Sequence, residues 1–280
     1  MNTSSVWIDG KPCSVVPSDD RGLAYGDGVF ETVKVVSGQM TLDGYHWNRL
    51  QISCHQLGIR TDLTALQRAV SRFLVEQMSA GRRSGILKMI VTRGSGGRGY
   101  NPKGCHCRFI LSWHDLPEYP ADYWQEGITL YTCMTELGLQ PSLAGIKHLN
   151  RLEQVMARSE WEDAHYAEGL LKDLHGNLIE GTMTNLFLVI SGDLWTPDLN
   201  MSGVAGVMRQ WILDTMPRYG VKTRICNIVP DALQQASEVF VCNSVNGVWP
   251  VVAYADMRWV PGPITRRIQF AVSGILNDGK

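Results

Sequence analysis

The spacing of apolar positions changes period several times along the N-terminal part of the chain. Ser5 to Asp9 reads as a short strand ending in the turn Asp9-Gly10. Phe30 to Val36 reads as a strand, followed by the hairpin-type turn Ser37-Gly38 and a return segment, Met40 to Leu42. Asp43 stands where a helix N-cap is wanted, and the spacing predicts a helix through about Leu57, stopped by Gly58. Trp47, Leu50, Cys54 and Leu57 recur at steps of three and four, which is one stripe of that helix. A second helix, about Leu63 to Met78, repeats the stripe with Leu66, Val70, Phe73 and Leu74. The nearly unbroken apolar runs Ile86 to Thr92 and Arg108 to Trp113 predict strands buried on both faces.

The second half mixes the two periods again. Strands are expected at Thr129–Cys133, Gly169–Leu174, Asn185–Ile190 and Glu238–Cys242. Helices are expected at Asn150–Asp163, Val207–Met216 and Pro263–Leu276. The segment His114 to Glu126 carries two prolines and several acids, so regular elements should not persist through it. It divides the chain into a smaller N-terminal subdomain, residues 1–113, a linker, 114–126, and a larger C-terminal subdomain, 127–280. The class is α/β or α+β with two subdomains. No Gly-x-Gly-x-x-Gly follows a strand and no Gly-x-x-x-x-Gly-Lys-Ser/Thr occurs, so the dinucleotide and P-loop readings lose their usual support.

Composition narrows the functional classes. The 280 residues hold 26 Lys+Arg against 27 Asp+Glu, a formal net charge of −1, which removes the simplest argument for nucleic-acid binding. Hydrophobic residues make up 44%, enough for a sizeable core, yet no run of about 18 apolar residues exists to span a membrane. The opening residues lack a basic stretch followed by an apolar one, so no secretion signal is read. The seven cysteines are odd in number and scattered, which suits a reduced, cytoplasmic protein. Cys105-His106-Cys107 has the spacing of neither a zinc finger nor a zinc knuckle, and no metal is assigned.

Six segments hold residues able to do chemistry. Lys147 follows the loop Pro141-Ser142-Leu143-Ala144-Gly145 and precedes a predicted helix. A lysine in a partly closed pocket can lose its proton and act as a nucleophile, although a solvated lysine is the ordinary case. Glu180 sits between an apolar stretch and the small-residue run Gly181-Thr182, where a carboxylate can either cap a turn or hold a protonated ring nitrogen. Asn185, polar at the head of a buried strand, can bond backbone or a ligand. Gly203-Val204-Ala205-Gly206-Val207-Met208 leads into a helix whose first amides can approach an anion, and the hydroxyl of Ser244, after a strand, can add a phosphate contact. Arg49 lies on the first helix but off its apolar stripe, so periodicity makes it a solvent-facing cation. Thr92 to Tyr100 packs four glycines and two arginines into a loop able to fold around an anion, with Arg98 suited to a carboxylate.

Taken in order, Arg49, Arg93 to Tyr100, Gly145 to Gln154, Glu180 to Phe187, Gly203 to Arg209, Cys242-Asn243-Ser244 and Trp249-Pro250-Val251 resemble the fold type IV pyridoxal-phosphate enzymes, the class IV aminotransferases. The likeness runs from Asp27-Gly28 to Pro250. The loop Arg93–Tyr100 and the string Lys147 to Gln154 favour the lyase members, which act on 4-amino-4-deoxychorismate, over aminotransferases of D-alanine or branched-chain amino acids. The resemblance implies pyridoxal 5′-phosphate held covalently by Lys147, with Glu180 on its ring nitrogen and Asn185 nearby. It implies Arg49, the backbone of Val207 and Met208, and Ser244 on the 5′-phosphate, and a small-molecule substrate met by Arg98, Tyr100 and Phe30. It also implies a homodimer. Phe30 stands where D-amino-acid aminotransferases carry tyrosine, and Leu152 where branched-chain aminotransferases do.

Overall fold

The computed structural model describes residues 5–276. They form two compact units, one of residues 5–117, Ile146–Asn150 and 275–276, the other of residues 118–145 and 151–274.

In the first unit the chain runs β1 (Val6–Ile8), β2 (Lys11–Pro12), α1 (Arg21–Tyr25), β3 (Gly28–Val36), β4 (Gln39–Met40), α2 (Asp43–Gln56), α3 (Leu63–Ser79), β5 (Gly85–Thr92) and β6 (Arg108–His114). The strands pair in the order β2-β1-β6-β5-β3-β4, antiparallel throughout. Val29, Val33 and Val35 of β3 form one core with Leu87, Met89 and Val91 of β5 and with Leu111 and Trp113 of β6. Leu50 and Cys54 of α2 and Leu66, Val70, Phe73 and Leu74 of α3 complete that core, so both helical stripes face it. β6 therefore alternates instead of burying both faces, because an antiparallel sheet needs cover on one side only. The cap of α2 also differs from expectation. Leu42, with φ 52°, is the N-cap, and Asp43 is the first helical residue, its carboxylate accepting from the Gly44 amide. The return from β4 into α2 is too short to leave Asp43 outside the helix.

The second unit begins earlier than a structureless linker would allow. Its first helix, α4 (Asp122–Gln125), lies inside 114–126, and Tyr119, Tyr123 and Trp124 pack edge-on around Trp249. The order continues β7 (Ile128–Leu137), α5 (Leu152–Arg158), β8 (Tyr166–Asp173), β9 (Leu178–Gly181), β10 (Asn185–Ile190), β11 (Asp193–Pro197), α6 (Val207–Thr215), β12 (Thr223–Cys226), α7 (Ala232–Gln235), β13 (Glu238–Asn243), β14 (Gly247–Tyr254), β15 (Met257–Arg258) and α8 (Pro263–Leu276). The sheet runs β12-β11-β10-β13-β14-β7-β8-β9, with β15 on β14. A single further pairing, Asn185 opposite Glu180, joins β9 to β10 and closes the path on itself. The ladders β7/β8, β7/β14 and β11/β12 are parallel and the others antiparallel.

Helix α5 is shorter than the spacing predicts at both ends. It spans Leu152–Arg158: Asn150 donates through its side chain to the Gly26 carbonyl at 3.2 Å before the helix begins, and Glu160 leaves the helix to accept from the amides of Met134 and Thr135 in β7. β14 holds Pro250 inside a central strand, a position that argues against a strand in sequence. It is tolerated because β14 meets β7 only from Val251 onward. No helix among the described residues is long and apolar enough to cross a membrane.

Phe73, fully buried and edge-on to Trp7 at 5.5 Å, is the largest side chain that α3 gives the first core. Phe73→Ala is expected to lower stability by about 3–5 kcal/mol, whereas Phe270→Ala, at an exposed site, should change it by less than roughly 0.5 kcal/mol. Urea unfolding followed by tryptophan fluorescence measures both.

Candidate active site

Lys147 is placed by its backbone. β4 pairs only with Val35 and Val36, so the first half of β3 has an open edge. Residues 147–149 fill it: the Phe30 amide donates to the Lys147 carbonyl at 2.9 Å, and the Leu149 amide to the Gly28 carbonyl at 3.0 Å. Gly28 has to be glycine, since a Cβ there would lie 2.5 Å from the Val91 carbonyl and 2.8 Å from Leu149. The Lys147 Nζ then sits 4.5 Å from the centre of the Phe30 ring, a cation on an aromatic face.

Two residues behind this edge, Glu31 occupies a core-facing position between Val29 and Val33. It is fully buried and bears two cationic or protic partners from one face of α2. His46 Nδ1 lies 2.6 Å from Oε2, and Arg49 binds both oxygens, through Nε at 2.8 Å and through Nη2. Burial pushes the Glu31 pKa up, but the Arg49 charge and the His46 and Arg49 hydrogen bonds outweigh it and hold it at about 2. Burial pulls His46 down, and the positive charges of Arg49 and Lys147 add to that pull against Glu31. An ionised Glu31 fixes the tautomer: Nδ1 carries the proton and donates. His46 Nε2, also buried, has no hydrogen-bond partner among the described residues.

In the second unit Glu180 is buried at the end of β9. Its Oε2 accepts from the Val204 amide at 2.8 Å, and its Oε1 lies 3.4 Å from Gln154 Nε2. Asn185 donates to the Val204 carbonyl at 2.8 Å, so its amide holds the 204–206 backbone. Gly206 is the N-cap of α6, and a Cβ there would fall 1.9 Å from Asn185 Oδ1. No side chain caps α6, whose first residues are the buried Val207 and Met208. Arg209, next in the helix, turns inward to Thr196 Oγ1 and the Pro197 carbonyl. Ser244 lies half-buried in the turn after β13, where Asn243 Oδ1 accepts from the amides of Val245 and Asn246.

The first unit thus offers an amine on a fixed backbone and a buried Glu31–Arg49 pair, and the second a buried Glu180 and an uncapped helix start. The family model of class IV amino-transferases matches residues 28–254. The chain belongs to the class IV amino-transferase family. Aminodeoxychorismate lyase from Vibrio harveyi is 37% identical over 272 residues, covering 94% of this chain and 97% of that protein. The crystal structure of 4-amino-4-deoxychorismate lyase from Pseudomonas aeruginosa superposes with a TM-score of 0.93 at 45% identity, over 97% of this chain and 99% of that one. A putative branched-chain-amino-acid aminotransferase from Methanocaldococcus jannaschii is 29% identical over 83% of this chain and 80% of its own.

For a class IV chain, the placement of the remaining candidates is informative. Arg49 is not the solvent-facing cation that periodicity predicts, because Glu31 gives its side of α2 a second packing surface. Arg98 and Tyr100 are exposed, Tyr100 at 84%. Leu152 is exposed at 74%. Glu31 and His46 escaped the sequence reading, yet a signal exists: an acid on the apolar side of Val29-x-Glu31-x-Val33-x-Val35 must find a partner. Glu168 escaped it too. Buried in β8, it accepts from the hydroxyls of Thr182 and Thr184 and from the amides of Gly169, Thr182 and Met183, and so fixes the turn joining Glu180 to Asn185. Burial raises its pKa, and those donors oppose the rise. Among the described residues no group of three or more His, Cys, Asp or Glu is placed to hold a metal ion.

The Glu31 pKa is lower in the folded chain than its ordinary 4.5, so its stabilisation is present in full above about 4.5 and disappears as the pH falls to about 2. That acid limb should amount to about 3 kcal/mol and should be missing from Glu31→Gln. Urea unfolding across that pH range tests it, and an unchanged limb in the variant would contradict the triad's charge state.

Proposed function

We propose that this chain is a pyridoxal-5′-phosphate-dependent lyase that converts 4-amino-4-deoxychorismate to 4-aminobenzoate and pyruvate, a step toward folate. The observation carrying this reading is the near-full-length likeness to the Pseudomonas lyase, which exceeds that to the branched-chain aminotransferase. The residues present fit the cofactor. A buried His46 Nε2 with no hydrogen-bond partner among the described residues lies beside the Arg49–Glu31 pair, and no side chain caps the first amides of α6. Arg49, the amides of Val207 and Met208, and Ser244 would hold the 5′-phosphate. Glu180 would keep a proton on the ring nitrogen, and Lys147 would hold the cofactor through its side-chain amine. Asn185 would act on the cofactor through the backbone that it fixes.

When bound, the cofactor supplies an electron sink conjugated with the substrate's amine. The Lys147 amine would take the proton from the substrate ring carbon that bears the nitrogen. Elimination of the enolpyruvyl group then aromatises the ring, so the protein need supply mainly orientation and charge stabilisation. Phe30 gives the freed ammonium an aromatic face to rest on. Arg98 and Tyr100 would meet a substrate carboxylate. The active form would be a homodimer, which sedimentation of the purified protein tests.

Lys147→Ala is expected to abolish both the near-visible absorbance acquired with pyridoxal phosphate and the lyase activity. Borohydride reduction and peptide mapping should put the pyridoxyl tag on Lys147 in the native chain. Transamination of D-alanine with 2-oxoglutarate that outpaced turnover of aminodeoxychorismate would favour an aminotransferase instead.

A further inference from the structure

The Arg93–Tyr100 segment is rich in glycine, which loses more conformational freedom on ordering than any other residue. A Cβ at Gly94 or Gly96 would lie 1.8 Å from the His106 carbonyl or 2.5 Å from the Cys105 sulfur, but one at Gly97 or Gly99 would meet nothing within 4 Å, so packing does not hold the second half of the loop. Both of its ends are nonetheless fixed, and by the same short stretch of chain, residues 19–27.

At the near end, the Arg21 amide donates to the Gly94 carbonyl at 2.9 Å, and Ser95 donates through its hydroxyl to Asp19 at 2.8 Å. Arg93 binds Asp27 Oδ2 through Nε at 2.7 Å and spends the rest of its fork on the carbonyls of Leu57 and Gly58, at 2.7 and 2.9 Å, where α2 ends. At the far end stands the Arg21 side chain. α1 exposes Leu23 and Tyr25, yet Arg21 is only 4% exposed. Its Nε donates to the same Asp27 Oδ2 at 2.9 Å, its Nη1 to the Gly99 carbonyl at 2.8 Å and its Nη2 to the Tyr100 carbonyl at 3.1 Å. Its guanidinium lies 4.9 Å from the Tyr25 ring, which in turn meets the Tyr100 ring at 5.4 Å. Gly99, at φ +86°, adopts the left-handed backbone that few other residues accept. One carboxylate, Asp27, thus ties the first residue of the loop to the arginine that grips its last two.

We propose that Arg21 is a positioning residue for substrate: by gripping the Gly99 and Tyr100 carbonyls it sets where the neighbouring Arg98 presents its guanidinium. Arg21 spreads these three bonds over three nitrogens of one rigid plane, whereas an ammonium must make all of its bonds from a single nitrogen. The substrate half of this statement rests on the reading of Arg98 and Tyr100 given above, whereas the ordering of the loop does not.

The test compares Arg21→Lys, which keeps charge and much of the packing, with Arg98→Ala, both loaded with pyridoxal phosphate. In Arg21→Lys, hydrogen–deuterium exchange over residues 95–101 should quicken about tenfold while the sheet strands keep their native rates. KM for aminodeoxychorismate should rise about tenfold with kcat within about twofold, and the cofactor absorbance should not move. Native exchange rates in that loop would overturn the proposal outright, and so would faster exchange with an unchanged KM, provided that Arg98→Ala raises KM. If Arg98→Ala leaves KM unchanged, the substrate reading of the loop fails, and the exchange data alone still decide whether Arg21 orders it.

Discussion

A carboxylate buried on the core side of a strand cannot stand alone, and Glu31 shapes the first unit around that constraint. Desolvating an ion costs more than a single neutral contact returns, so it draws both an arginine and a histidine from α2. Their spacing of three on one helical face suits a single acceptor. The consequence is that α2 carries two buried sides. One is the apolar stripe through Leu50 and Cys54, and the other is the polar seam of His46 and Arg49. The seam is pre-ordered: Glu31 stays ionised at any ordinary pH, Arg49 is held by both carboxylate oxygens, and the imidazole is locked in one tautomer.

Lys147 owes its place to a different requirement, the pairing of backbone groups. β4 is two residues long, and the uncovered edge of β3 would otherwise leave amides and carbonyls without partners. The chain returns from a distant point in sequence to supply them. A lysine fixed by main-chain hydrogen bonds has little freedom except in its own side chain, which favours one repeated geometry for its amine.

The second unit solves a related problem with small residues. Glu180 and Asn185 face one another across the pairing that closes the sheet, and both reach the backbone of Val204. That approach is open only because Gly206 has no Cβ, and the turn between the two residues is held by a further buried acid, Glu168. Glycine here serves close approach rather than flexibility. In the Arg93–Tyr100 loop Gly94 and Gly96 also admit close neighbours, but Gly97 and Gly99 meet nothing, and that half of the segment is tied down through Arg21 and Asp27.

The two long helices of the first unit, the strands at Phe30–Val36 and Asn185–Ile190, and the helix Pro263–Leu276 were legible in the sequence, because local periodicity reports which face is covered, whereas the five-residue α1 was not. The candidate lysine, glutamate and glycine turn before a helix could be located from residue type and order, and the family followed from their combination. What periodicity could not yield was anything set by a partner far along the chain. It turned Arg49 outward because Glu31 lies eighteen residues away, on a strand. It started α5 at Asn150, two residues early, and carried it to Asp163, past the point where Glu160 turns to the amides of β7. By itself the sequence determined the elements and the chemical groups. Tertiary structure decided which charges were buried together, because only long-range pairing settles where a desolvated carboxylate or an unpaired strand edge finds what it lacks.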